Sequence, residues 1–412
     1  MKKILILVLA LALPLVFAGC GDDEEETTRV DPQASADKVD LGTFAAMDAL
    51  NGDMDFTAAY DLFEEAVRLD PNNMQARAGA GAMNVLRLPN HPMIADLIDT
   101  LGIDELLKGT LPWKNLGFGG GRGPAAGAGR AIFGSLTGEM QTDMGMFLDL
   151  LLAEIQVSID YFNAVEGHAD FEWLIPMPEG YGMDTLEIDV TDIHFAESPL
   201  HFIRALLLGL DAYNLDIGSL EGEDVAAALA QDSDFLTLTN AGALTTARGA
   251  MDAGADEASV GAVLLDAEVD DQTNDFVRLL FPGEEFGLWV AMTEGQRDTL
   301  ENMPAMMDDM MDNPLPMIDD FDNDEVPDTL LVNLGVLFDD PIEDFKAILP
   351  EYTIQACGDT AYGIFWAETE ENWTWHPEEL NGLIALPGGP MTSDAMIQMF
   401  GLGLLYYMGG CL

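Results

Sequence analysis

The sequence predicts a mostly α-helical fold, an array or bundle of helices closed by a small mixed α/β cap at the carboxyl end. Two stretches carry the helical reading. Ala59, Phe63 and Ala66 recur at four and three residues. Phe147, Leu148, Leu151, Leu152, Ile155 and Ile159 form one apolar side of a longer segment, Met140 to Val165. Both patterns put side chains on a single face of a 3.6-residue helix. The third observation is the scarcity of strand signals. Leu186 to Val190 alternates like a short edge strand, and Leu330 to Leu337 is a second candidate.

Composition sets the outer bounds. A chain of 412 residues, 49% of them hydrophobic, buries a core and has room for two or three domains or one long array. The formal charge of −58 excludes nucleic acid and anionic lipid surfaces as natural partners. With 16 basic residues against 74 acidic ones, most carboxylates have no cationic partner. Divalent cations, basic proteins or a saline habitat each fit such a balance.

The amino end is an address. Lys2 and Lys3 precede an apolar run from Ile4 to Ala18, too short for a comfortable transmembrane helix. It has the length and flanks of a secretory signal. Phe17-Ala18-Gly19-Cys20 follows, and this end resembles the lipobox of bacterial lipoproteins. The resemblance implies cleavage after Gly19, acylation of Cys20 and anchoring in a bilayer. Several acyl chains, at roughly 0.8 kcal/mol per buried methylene, make such an anchor nearly permanent. The acidic run Asp22 to Glu26 reads as a solvated tether. The lipoprotein resemblance implies the outer membrane rather than the inner, since Gly21 stands where an inner-membrane retention signal has aspartate, and both the periplasmic and the surface face stay open.

Thr27 to Asp40 is polar and aperiodic, so order is expected from about Leu41, with Ala45, Ala46 and Leu50 on one face of a short first helix. The stretch from Phe56 to Asn73 comes next. Small residues at Ala59 and Ala66 let a neighbouring helix approach, Phe63 fills the gap, and Pro71 ends the helix. Gly81 gives a further small position. These residues resemble tetratricopeptide (TPR) repeats over about Thr43 to Arg87. The resemblance implies a TPR-like scaffold for packing or protein binding. The expected division is a signal at 1–19, a tether at 20–40, TPR-like helices at 41–110, a glycine-rich loop at 111–137, a helical domain at 138–318 and a mixed cap at 319–412.

The glycine-rich run from Gly117 to Gly129 lacks the Gly-Lys-Ser/Thr ending of a phosphate loop and has no strand before it, so it reads as a connection. Met93 to Lys108 reads as a helix. Asp170 to Ser198 reads as irregular apart from the short strand, and Pro199 is expected at the first position of a helix running to about Tyr213. Further helices are expected near Glu223–Ala230, Phe235–Ala253, Glu257–Glu268 and Asn274–Phe281. His194 and His201 are seven apart, but Pro199 argues against one helix through both, so they read as surface or capping residues.

Met303, Met306, Met307, Met310 and Met311 form a stripe within Thr293 to Asp312. Its readings are an adaptable core face, a hydrophobic groove or thioether capture of Cu(I). Asp320, Asp322, Asp324 and Asp328 then alternate as in calcium loops of thrombospondin type 3 repeats, which they resemble. That resemblance implies a structural Ca²⁺ fixing a turn. With Cys20 lipidated, Cys357 and Cys411 remain as an even pair, read as a disulfide or as two buried thiols. The apolar end, Ala395 to Leu412, reads as a buried terminal helix.

No catalytic constellation is visible, so no enzymatic activity is expected, although paired carboxylates are too numerous for sequence to test a hydrolase. The leading expectation is a lipid-anchored, non-enzymatic scaffold that binds another envelope protein. The alternative is a binding protein for an apolar or anionic small molecule serving a transporter.

Overall fold

The computed structural model describes residues 30–52, 54–92, 94, 144–177, 184–215, 234, 236–268, 274–279, 290–319, 328–344, 351–354, 359–362, 373–374 and 384–385. Within them the chain is mostly helical with a small α/β part, as the periodicity predicts. Six longer helices follow in order: α1 Pro32–Asn51, α2 Thr57–Leu69, α3 Met74–Arg87, α4 Met144–Glu166, α5 Val190–Asp211 and α6 Ala241–Ala267. Each packs on its neighbours in sequence, α5 on α6 most extensively, and α6 then carries α7 Glu294–Glu301 and α8 Met303–Asp312.

Helix α1 starts at Pro32, ahead of the expected onset of order at Leu41, and so takes in half of the predicted tether. Asp31 caps it by accepting from the Ala34 amide, with Pro32 at the first turn. Its buried residues are Ser35, Val39, Gly42 and Ala49, mostly too small or polar to register as an apolar stripe. Leu50 is exposed, against expectation, because the small residues take the inner face. Ser35 Oγ donates to the Ala66 carbonyl of α2 (2.8 Å), and Lys38 pairs with Glu65 (2.6 Å).

The three amino-terminal helices close around Phe63. Its ring fills the gap that Gly42 of α1 and Gly79 of α3 leave. A methyl on Gly79 would lie 2.5 Å from that ring, and one on Gly42 3.0 Å. Trp173 meets the ring edge-on, 5.8 Å between centroids. Ala59, Phe63 and Ala66 are buried as expected, and α2 ends at Leu69 with Asp70 extended before Pro71. Gly81 is buried too, but it receives Phe162 of α4. Asn84, fully buried, donates to the Glu154 carbonyl (2.7 Å) and to Ser158 Oγ (3.0 Å) of α4. Arg87 pairs with Glu154 (2.9 Å) and lies 4.0 Å over the Tyr60 ring.

The stretch read as irregular after α4 holds a second strand. β1 (Glu172–Pro176) pairs antiparallel with β2 (Thr185–Asp189), Trp173 opposite Ile188 and Ile175 opposite Leu186. The Asn274–Phe281 stretch is a correction. It contains β3 (Val277–Leu279), parallel to β4 (Val290–Met292), where a helix was expected. The Val277 amide donates to buried Asp192 Oδ1 (2.9 Å), which ties β3 to the start of α5 Val190–Asp211. The two helices expected at Phe235–Ala253 and Glu257–Glu268 are one, α6, capped by Asn240 and continuous through Gly254. Gly254 sits where a methyl would meet the Ser198 carbonyl at 3.0 Å, so it marks a close helix contact rather than a break.

Toward the carboxyl end, β5 (Leu315–Asp319) pairs antiparallel with β6 (Asp328–Val332), and α9 (Val336–Asp339) follows. The strand expected over Leu330–Leu337 therefore stops at Val332, where the backbone turns into this short helix. β6 also pairs with β10 (Ile384–Ala385), while β7 (Glu351–Ile354) lies between β8 (Asp359–Tyr362) and β9 (Trp373–Thr374).

Glycine substitutions test the seams. Gly79→Ala is expected to destabilise by about 1–3 kcal/mol, because the Phe63 ring has nowhere to move. Gly249→Ala, on α6 with open space around it, should gain up to about 1 kcal/mol from helix propensity. Denaturant titration checks both signs, and two changes of the same sign would contradict the packing described.

Candidate functional site: a buried glutamate and histidine cluster

Helices α4, α5 and α6 bring six polar side chains into one place. α5 runs unbroken from Val190 to Asp211 with Pro199 inside it, which corrects the reading of a helix that begins there. Pro199 removes the amide that would bond the Phe195 carbonyl. Packing carries the helix through: the Ser198 hydroxyl donates to the Gly254 carbonyl of α6 (2.7 Å). His194, Glu197 and His201 therefore share one face at three and four residues. The two histidines, read from sequence as surface or capping residues, are buried in this face.

Glu166 is the last residue of α4, and Glu257 lies in the middle of α6. His194 Nδ1 donates to Glu257 Oε2 (2.5 Å) and lies 3.4 Å from Glu166 Oε1. One donor atom from each of Glu166, His194 and Glu257 falls within 4.8 Å of the others. On the inner side, Glu197 Oε1 accepts from Asn163 Nδ2 of α4 (2.9 Å) and from His201 Nε2 (3.0 Å). The Glu197 side chain is 1% exposed, and its second oxygen receives no donor; neither does Glu166 Oε1.

Burial dominates the electrostatics. It pushes the Glu197 carboxyl up to about 10, with Glu166 beside it adding to the shift. It also raises Glu166. Burial acts in the same sense on Glu257, but the His194 hydrogen bond and charge outweigh it, and that carboxyl is held below its ordinary range. His201 is lowered, because burial disfavours its cation. The negative charges of Glu166 and Glu257 add to burial in favouring the protonated form of Glu197.

A second acidic group sits at the amino end of α5. Asp189 accepts from the Thr191 and Asp192 amides, and Asp192 Oδ2 accepts in return from the Asp189 amide (2.9 Å), a reciprocal cap. Thr191 Oγ1 donates to Glu268 Oε1 at the end of α6 (2.6 Å). Burial first, then the Asp189 and Asp275 charges, raise Glu268 to about 7.

The residues singled out from the sequence fall elsewhere. Of the calcium-loop set, Asp328 is the first residue of β6, its backbone paired with Asp319; Asp320, Asp322 and Asp324 lie outside the described residues. So do Cys20, Cys357, Cys411, the glycine-rich run and the apolar end. In the methionine stripe, α7 and α8 are separate helices parted at Asn302; Met307 and Met311 are buried against Ala255, while Met306 is exposed. The buried cluster escaped sequence reading. Its signal was the His-x-x-Glu-x-x-x-His spacing from His194 to His201, hidden by the proline between, and Glu166 and Glu257 were two acids among 74.

No family model matches the chain, and neither a curated protein nor a solved structure does.

The cap of α5 gives a pH prediction. Free glutamate titrates near 4.5, and folded Glu268 near 7, so between those values the folded state holds the extra proton. Its contribution to stability is full below about 4.5 and is lost as pH rises through 7. Burial raises Asp192 as well, which acts in the same direction. Glu268→Gln keeps the Thr191 bond and removes the charge. Its thermal midpoint should fall less than that of the parent chain between pH 4.5 and 8; parallel curves would refute the assignment.

Proposed function

We propose that this chain is a lipid-anchored protein of the bacterial cell envelope that works as a non-enzymatic protein-binding scaffold. The observation that carries the reading is an apolar stripe left facing solvent on α5. Pro199, Ile203, Leu206 and Leu210 lie at four, three and four residues along one face, and Leu206 is 66% exposed. Such spacing suits a partner helix or groove that takes apolar anchors from one helix face. The neighbour-on-neighbour stacking of α1 to α6 supports the same reading, since arrays of this kind present long surfaces. It also agrees with the TPR-like packing residues around Phe63. Anchoring rests on the amino-terminal signal and Cys20, and no helix among the described residues is long and apolar enough to cross a membrane.

The test is a pull-down from gently solubilised native envelopes, with calcium and with chelator. A stoichiometric protein that is captured by the parent chain and lost with Leu206→Glu plus Ile203→Glu is the expected result. These exposed changes should alter stability by no more than about 0.5 kcal/mol each. Capture unaffected by the pair, or a lipid or metabolite in place of a protein, would overturn the scaffold reading. Loss of the partner in chelator alone would tie it to the Asp320–Asp328 stretch. Cys20→Ser should move the protein out of the membrane fraction.

A further inference from the structure

We propose that Glu166, His194 and Glu257, with Glu197 behind them, form a buried site for one divalent transition-metal ion. The donor set is one imidazole nitrogen and carboxylate oxygens from three different helices, gathered within 4.8 Å for the first three residues. Imidazole with carboxylate suits Zn²⁺ and its neighbours rather than Ca²⁺ or Mg²⁺, which take oxygen alone. Metal bonds of about 2.0–2.1 Å in a tetrahedron set ligand atoms about 3.3–3.4 Å apart. Glu166 Oε1 and His194 Nδ1 already stand at 3.4 Å. The bond from His194 Nδ1 to Glu257 Oε2 is shorter, at 2.5 Å. A cation that replaces the proton on that nitrogen opens this edge by less than one bond length.

Glu197 supplies the independent observation. Its side chain is 1% exposed, one oxygen is held by Asn163 and His201, and the other receives no donor, on the same face of α5 as His194. An ionised carboxylate is costly to bury without a partner, by several kcal/mol. Among the described residues, no lysine or arginine bonds to this cluster. Burial holds a proton on Glu197; a divalent ion at the three ligands would take that proton's place and supply the charge the carboxylate then needs, with Glu197 standing behind Glu166, His194 and Glu257. Asn163 and His201 orient Glu197 through its other oxygen, as supporting groups do around metal sites. The site joins the last turn of α4 to the first turns of α5 and the middle of α6, so the ion would lock three helices at one point.

The experiment uses the full-length chain, stripped of metal, and Zn²⁺ alone as probe. So acidic a protein binds cations loosely everywhere, so the titration is run in millimolar Ca²⁺ and high salt. One Zn²⁺ per chain should remain bound. His194→Ala and Glu257→Gln should weaken it by more than about 100-fold, and Glu197→Gln by about 10-fold or more. Asp308→Asn, on α8, should leave it unchanged. Co²⁺ in place of Zn²⁺ should give visible bands of a four-coordinate site with imidazole in its shell. Should His194→Ala fail to fold by circular dichroism, Glu257→Gln and the Co²⁺ spectrum of the parent chain decide the matter. Zn²⁺ displaced by Ca²⁺, or retained in full by His194→Ala, or a hexa-aquo-like Co²⁺ spectrum would each overturn the site.

Discussion

Close approach of helix backbones along seams of small residues is the constraint on which this structure depends. Gly42 and Gly79 make room for the Phe63 ring, Gly81 for Phe162, and Gly254 and Gly261 for α5. Large side chains are few at these contacts, so each one counts. Where a seam closes, backbone oxygens and hydroxyls come within bonding range, as Ser198 does with Gly254 and Ser35 with Ala66. The polar contacts are therefore consequences of the glycines and alanines. A seam built of leucines would hold the helices farther apart and leave those groups unmet.

The same closeness explains how so acidic a chain tolerates buried acids. On α5, the side chains at 194 and 201 are mostly shielded from water and that at 197 wholly so, because α4 and α6 stand on either side. Glu166, Glu197 and Glu257 are then forced to share what positive charge and what donors lie within reach, and these come from His194, His201 and Asn163. Asn84, Ser158 and Arg87 solve a smaller version of the problem between α3 and α4, with every contact an ordinary hydrogen bond or ion pair. One cluster is electrically closed by its own side chains. The other is left with oxygens that lack donors.

The fold class was legible because helix periodicity survives in residues as small as Ala59 and Ala66 once a large neighbour, Phe63, marks the face. The start of α1 was not legible, since its inner face is written in Ser35, Gly42 and Ala49, which carry almost no hydropathy signal. Pro199 misleads in the same way: it is an ordinary breaker when read locally, and the helix is carried through it by the bond from neighbouring Ser198 to Gly254, 56 residues away in sequence. β3 was not legible because its partners, strand β4 and the Asp192 carboxyl that accepts the Val277 amide, lie outside any local window. The site was invisible for the same reason: its ligands come from three helices, and only the α5 triplet has a spacing to notice.

Stacking in sequence order has a mechanical side. In an array where each helix leans on the one before it, tension applied at the amino end is not shared across the whole molecule. It falls on the outermost seam, between α1 and α2, and is resisted there by the Ser35 hydroxyl, the Lys38–Glu65 pair and the ring of Phe63. Such a chain unzips rather than shears, one helix at a time, and its inner helices feel no load until the outer ones have let go.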